Sequence, residues 1–178
     1  MLFANRFPKL QEIILVYAVN VVILYTFSLW FSFQDFSRNW ILFLDTEDIL
    51  GVFAYTIVGA FTESLLIIGV LIFIYFLFPP SIAQGRFVLY GTILTITFSL
   101  VLILRAGTYA SIRNILSNNN MVLAFFIAGT LALSLIAEQI KIVRSALEAF
   151  ADRCLIFLYV YLPLSLLAVI IVAIRNIG

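Results

Sequence analysis

The stretch ILGVFAYTIVGAFTESLLIIGVLIFIYFLF, residues 49–78, is apolar over a length that is sufficient to cross a membrane. An α-helix rises ~1.5 Å per residue, so ~20 apolar residues cross the ~30 Å of hydrocarbon in a bilayer. A helix over residues 49–78 would be ~45 Å long. The stretch therefore predicts a transmembrane helix with one carboxylate, Glu63, near its middle.

Four more apolar runs lie on either side of this stretch. Together the five runs predict an all-α, polytopic membrane helix bundle that forms a single domain with short loops and no soluble domain. The composition agrees, since 65% of the residues are hydrophobic, 11% are charged and the mean hydropathy is +1.20. The predicted spans are Ile13–Phe33, Ile49–Phe78, Phe87–Leu104, Met121–Ala137 and Cys154–Ile174.

The basic residues between the spans predict the orientation. Five alternating helices place six basic residues on the amino-terminal side of the membrane and four on the other. Cytoplasmic flanks carry the excess of Lys and Arg, so the amino terminus is predicted to be cytoplasmic. The six are Arg6, Lys9, Arg86, Lys141, Arg144 and Arg153, and the four are Arg38, Arg105, Arg113 and Arg175.

Glu63 belongs to a stripe of small and polar residues on its helix. Gly51, Tyr55 and Gly59 precede it at steps of four residues, which places all four on one face. Such stripes face other helices in membrane proteins, because small residues let two backbones approach closely. The opposite side of the helix is predicted to face lipid because its residues are apolar: Ile57, Phe61, Leu65 and Ile68.

An ionised carboxylate at mid-membrane is costly, and no Lys or Arg occurs at its depth in this chain. We therefore expect Glu63 to be protonated, or to meet a cation or a basic group from outside the chain. Hydroxyl and amide groups of other spans are candidate hydrogen-bond partners in the bundle interior. The predicted polar site comprises Glu63, Asn20, Thr56, Tyr55, Thr95 and Ser99.

A second set of small residues predicts helix packing in the fourth span. Ala124, Ala128 and Ala132 follow each other at four-residue steps, with Gly129 alongside. Like Gly51 and Gly59, they would allow a neighbouring helix to come close.

The other charged residues near the spans are explained more simply by helix capping, an interfacial position or an amphipathic helix than by a binding or catalytic site. The acidic residues of LDTEDIL, 44–50, favour capping of the second span over metal binding, because carboxylates stabilise a helix amino terminus. Glu138, close to Lys141, is predicted to lie at the membrane interface. The stretch KIVRSALEAFADR, 141–153, predicts a cytoplasmic amphipathic helix that either links two spans or docks a partner.

Several chemistries are missing from the sequence. It has no histidine and one cysteine, which removes imidazole bases, Ser-His-Asp triads and Cys/His zinc sites. We predict no metal site and no cofactor. Cys154 is expected to be a small apolar residue, with lipidation as the alternative. The scattered charges, +1 in total, make nucleic acid an unlikely partner.

These observations leave three functional hypotheses. The first is a non-catalytic subunit that packs into a larger membrane protein complex, with Glu63 satisfied by a neighbouring chain. The second is a homo-oligomeric small-solute or ion transporter or channel that uses Glu63. The third, an intramembrane enzyme, is the weakest because no second carboxylate lies at the depth of Glu63. Expected partners are the lipid bilayer and other membrane chains or copies of this one, in the cytoplasmic membrane or an organellar one.

Overall fold

The computed structural model describes residues 7–36, 40, 43–77, 86–106 and 119–177 of the chain. These residues form five α-helices. Three of the helices, α1, α2 and α5, are long and apolar enough to cross a membrane, and α3 and α4 are shorter apolar helices. The prediction of an all-α integral membrane protein is confirmed at this level. The helices are α1 (Leu10–Asp35), α2 (Thr46–Leu77), α3 (Phe87–Ala106), α4 (Asn119–Gln139) and α5 (Lys141–Ile177).

The amino-terminal end of α2 follows the predicted capping pattern. The helix begins at Thr46, which places Asp45 at the cap position and Glu47 and Asp48 in the first turn. The backbone amide of Ile49 donates to the carbonyl of Asp45 over 3.0 Å. The carboxylates therefore lie where the positive end of the helix dipole stabilises them.

The amphipathic stretch after residue 140 is the first part of the fifth helix. Ile140 alone separates α4 from α5, and α5 then continues through the fifth predicted span without interruption. Its apolar residues differ in their surroundings, since Ile142 is 79% exposed, whereas Leu147 packs against the buried residues Leu89 and Ile93 of α3. Over its 37 residues α5 is ~55 Å long, which exceeds the hydrocarbon thickness.

Helix α1 occupies the centre of the bundle. It packs against α2, α3 and α5, and its side chains Val16, Val19 and Tyr25 are among those almost fully buried. Helix α4 packs on α3 and on α5, and most of its described side chains are exposed. The polar groups inside the bundle are consequently those of α1, α2, α3 and α5.

Helix α5 packs into the bundle with the spacing of a coiled coil. Ala151, Cys154, Leu158, Ser165 and Ala168 are buried, and Tyr161 packs against the same cluster. Their separations of three and four residues alternate, which keeps one seam of the helix on its neighbours. Cys154 is buried in this seam among apolar side chains, as expected of a small apolar residue.

Four connecting segments lie outside the described residues: 37–39, 41–42, 78–85 and 107–118. Arg6, Arg38 and Arg113 contribute to the predicted orientation, and all three lie outside the described residues. The number of spans and the side of each terminus therefore remain predictions.

Candidate functional site

Glu63 lies on the outer surface of the bundle. Its side chain is exposed, and among the described residues it has neither a hydrogen-bond partner nor an ion-pair partner. It is 17 residues from the first residue of α2 and 14 from the last, which places it within ~2 Å of the helix midpoint. In a bilayer this carboxylate would face hydrocarbon near the middle of the membrane.

The predicted division of α2 into an inner and a lipid-facing side was partly wrong. Ile57 and Ile68 are buried against the other helices, whereas Gly59, Glu63 and Tyr55 are exposed. The reason is that an Ile side chain packs equally well on lipid and on a helix, so hydrophobicity does not identify the inner face. The buried face consists of Gly51, Ala54, Ile57, Ala60, Ser64, Ile68 and Leu71.

Asn20 lies inside the bundle, away from the surface that carries Glu63. It is fully buried, and its amide nitrogen donates to the backbone carbonyl of Ser64 over 3.0 Å. The Ser64 hydroxyl donates to the carbonyl of Phe61 at 2.7 Å and lies 3.3 Å from the Tyr17 hydroxyl. The structure thus links α1 to α2 through Asn20 and does not bring Asn20 to Glu63.

The hydroxyl groups of α3 bond mainly within their own helix. Thr95 donates to the carbonyl of Gly91, and Ser99 donates to that of Thr95, each over 2.8 Å. Both side chains are buried, so neither reaches the exposed carboxylate of Glu63. Two fully buried polar atoms, Oδ1 of Asn20 and Oγ1 of Thr92, have no hydrogen-bond partner among the described residues.

The remaining polar residues predicted for the site form two contacts between helices. The Thr56 hydroxyl lies 3.1 Å from that of Ser32 in α1 and donates to the carbonyl of Val52 over 3.0 Å. The Tyr55 hydroxyl donates to the Asn176 side chain over 3.0 Å. These contacts fasten α2 to α1 and to the end of α5.

Gly51 makes room for an ion pair at the start of α2. The Arg175 guanidinium lies 2.5 Å from the Asp48 carboxylate and donates weakly to the carbonyl of Glu47. A Cβ atom at Gly51 would overlap this guanidinium. Because Gly51 has no side chain, the Arg175 guanidinium in the last turn of α5 can pack against the first turns of α2, where the nearby Asp48 carboxylate binds it.

The other small residues predicted for helix packing have open surroundings. A Cβ atom built at Gly59 would meet nothing within 4 Å. Ala124, Ala128 and Ala132 are exposed, so this stripe of α4 is not covered by another of the described helices. Gly129 faces α3 instead, where a Cβ atom would come within 3.1 Å of Thr97.

Glu138 takes part in a charged cluster at the opposite end of the bundle from Asp48. Its carboxylate accepts a hydrogen bond from Tyr90 and forms a 2.6 Å ion pair with Arg86. The hydrogen bond to Tyr90, followed by the charges of Tyr90 and Glu138, raises the pKa of Arg86 above its usual value. This cluster joins the start of α3 to the end of α4, and the interfacial position of Glu138 stays a prediction.

The polar contacts among the described residues hold helices together, and Glu63 takes part in none of them. The described residues contain no group of three His, Cys, Asp or Glu side chains that could hold a metal ion. Sequence reasoning missed Ser64 and the bond between Tyr25 and Ser165, although the regular spacing of three and four residues along α5 could have identified Ser165 as inward-facing.

Comparison with known proteins does not extend this description, because no family model, no curated protein and no solved structure matches the chain.

Proposed function

We propose that this chain is a non-catalytic subunit of a larger integral membrane protein complex, and that α2 contacts the partner through the surface around Glu63. The observation that carries the proposal is the exposed position of Glu63 at the midpoint of an apolar helix. A charged side chain at the centre of a bilayer costs on the order of 3 kcal/mol on insertion scales. A neighbouring chain that bonds to the carboxylate would remove much of this cost.

The surroundings of Glu63 support a protein contact over a contact with lipid alone. A glutamate side chain is too short to reach the interface from the membrane centre, as a long lysine side chain can do nearer a helix end. The hydroxyls of the adjacent residues Thr62 and Ser64 already donate to the carbonyls of Val58 and Phe61, over 2.9 Å and 2.7 Å. Gly59, one turn away, leaves space for the backbone of a second helix.

Extraction of the tagged chain from its native membrane in mild detergent tests this proposal. The intact mass of the extracted particles and the identity of each co-purifying chain should reveal a partner in fixed stoichiometry. Glu63→Leu should lose that partner, and Glu63→Gln, which keeps a hydrogen-bonding group, should lose less of it. Tyr159→Leu changes a residue that is 78% exposed on α5 and serves as the control. A chain that is extracted alone in every case would contradict the proposal.

A second candidate is a homo-oligomeric transporter or channel. It is favoured by two buried atoms that have no hydrogen-bond partner within the described part of the chain, Asn20 Oδ1 and Thr92 Oγ1, since such groups commonly bind internal water. Because Glu63 lies on the outside of the bundle, a path that used it would run between protomers. Proton or cation flux into liposomes that is lost in Glu63→Gln, while the oligomer persists, would support this function over the first.

The orientation of the subunit belongs to the same proposal. We place the amino terminus and the cluster of Arg86 and Glu138 on the cytoplasmic side, with Asp48 and Arg175 on the opposite side. The support is the excess of Lys and Arg in the flanks of the predicted cytoplasmic side.

A further inference from the structure

We infer that the occupant of the Glu63 surface is a transmembrane helix of a different protein that carries a Lys or Arg side chain near its middle. This inference rests on the proposed function and specifies the chemistry of the contact. The Glu63 surface is defined as the exposed arc of α2 formed by Gly59, Glu63, Leu66 and Val70.

The four residues of this surface lie within about one sixth of the helix circumference, because their separations are four, three and four residues. Leu66 is 66% exposed and Val70 is 55% exposed, so both offer apolar contact area. Gly59 offers a place where the other backbone can come close, one turn from the carboxylate. The surface therefore has the length and shape that fit one helix.

The charge of Glu63 indicates which kind of helix would bind to this surface. None of the five predicted spans contains a Lys or Arg residue, and Glu63 is the only Asp or Glu within them. The three ion pairs of the described residues lie at the ends of helices or in the first turns of α5, so none supplies a cation at the depth of Glu63. A basic group from another chain would neutralise the carboxylate and donate hydrogen bonds to it.

A second copy of this chain fits the surface less well. Two copies that met symmetrically through the same surface would bring two Glu63 carboxylates together. Like charges at close range oppose each other's ionisation, and none of the predicted spans has a basic residue to place between them. Complementary charge therefore favours a different protein.

The inference can be tested with a model helix before the native partner is known. The probe is a leucine-rich transmembrane peptide of about 22 residues with one central lysine. Matched peptides carry leucine or glutamine at the same position. Association with the full chain is measured by energy transfer between labels in phosphatidylcholine vesicles, for wild type, Glu63→Leu and Glu63→Lys.

We expect the lysine peptide to bind wild type about 10-fold more tightly than the leucine peptide does, and Glu63→Leu to abolish the difference. A peptide with a central glutamate should bind Glu63→Lys and not wild type. Since Glu63 has no partner within the described chain, these variants should fold. Helix content and a single monodisperse elution peak check that they do.

Gly59→Leu provides a second variant that tests the close approach. It should weaken binding of the lysine peptide by several-fold, because the added side chain fills the space left for the other backbone. Gly69→Leu is the matched control, since Gly69 also has open surroundings but lies outside the Glu63 surface.

Four results would overturn the inference. Equal binding of the lysine and leucine peptides would show that charge does not matter, and equal binding of the glutamine and lysine peptides would show that any hydrogen-bond donor suffices. An undiminished lysine preference in Glu63→Leu would place the contact elsewhere. Energy transfer between labelled copies of wild type, if it disappears in Glu63→Leu, would show that a second copy of this chain occupies the surface.

Two combinations of results distinguish an error in the charge of the partner from an error in the proposed function. If native extraction yields a hetero-complex that depends on Glu63, but the lysine peptide shows no preference, only the charge of the partner is wrong. If the lysine peptide binds through Glu63, but native extraction yields the chain alone, the subunit function is wrong and the binding chemistry stands.

Discussion

Glu63 and Ser64 are neighbours in the sequence, but Ser64 is fully buried and Glu63 is exposed. The backbone carbonyl of Ser64 receives the amide of Asn20, which ties α2 to the central helix α1. One residue therefore faces the inside of the bundle and the other faces the surroundings. A substitution at Ser64 should therefore affect the stability of the isolated chain more than a substitution at Glu63.

The first prediction compares substitutions at these two positions. Glu63→Leu should leave the free energy of unfolding of the isolated chain within ~0.5 kcal/mol of wild type, because the side chain has no partner to lose. Ser64→Leu should destabilise the chain by about 1–3 kcal/mol, because the larger side chain must enter a filled helix contact. Unfolding of the purified chain in mixed micelles measures both, and similar losses at the two positions would count against the assigned faces.

The second prediction concerns the buried pair of Tyr25 and Ser165. Their hydroxyls form a hydrogen bond between α1 and α5, and both side chains are almost fully buried. Tyr25→Phe and Ser165→Ala should each destabilise the bundle, and a double-mutant cycle should give a coupling of about 0.5–1.5 kcal/mol. Tyr159→Phe is the control, since Tyr159 is exposed. Strict additivity of the two changes would mean that the bond contributes nothing.

The third prediction uses two glycines with opposite surroundings. A Cβ atom at Gly91 would lie 2.8 Å from both γ-carbons of Val16, where α3 crosses α1, whereas the space around Gly59 is open. Gly91→Ala should therefore destabilise the isolated chain by about 1–3 kcal/mol through overpacking. Gly59→Ala should be neutral or stabilising by up to ~1 kcal/mol, because alanine is the better helix former.

Thermal or denaturant unfolding of the two alanine variants gives the comparison directly. Equal effects would contradict the close contact of α1 with α3. A loss of stability in the isolated Gly59→Ala chain would contradict the open surroundings of the Glu63 surface.

The fourth prediction tests the five-span topology. Single cysteines in place of Glu47 and Ile177 should react with a membrane-impermeant thiol reagent from one side of the membrane, and cysteines in place of Lys9 and Lys141 from the other. A Cys154→Ala background removes the native thiol, which is buried. Labelling of Glu47→Cys and Lys141→Cys from the same side would show that the number of crossings between them is even and that the topology is wrong.

The sequence predicts the helices of this protein better than their contacts. Each predicted span overlaps one helix, and α1 differs from the run Ile13–Phe33 by only two or three residues at each end. Length explains this accuracy, because a bilayer imposes a minimum number of apolar residues on every crossing. The three long helices are confirmed as candidate spans, whereas α3 and α4 are shown only to be shorter apolar helices.

The inner face of each helix was harder to predict. In a soluble protein a buried Ile57 would stand out against polar neighbours, but in a membrane both sides of α2 are apolar. Gly51 and Glu63 belong to one sequence stripe, yet Gly51 is buried beneath Arg175 and Glu63 is exposed. A stripe at strict four-residue steps drifts around the helix by ~40° per step, so it does not stay on one neighbour over the three steps from Gly51 to Glu63.

Photo-crosslinking in the native membrane shows whether another membrane protein contacts the Glu63 surface. A photoreactive amino acid is placed at Leu66, on the Glu63 surface, and for comparison at Tyr159 on α5, which is also exposed. Our account predicts one discrete protein adduct from position 66, lost when Glu63→Leu is added, and adducts to lipid from position 159. The absence of a protein adduct at position 66, or the same adduct from both positions, would contradict the claim that Glu63 marks a specific contact with another membrane protein.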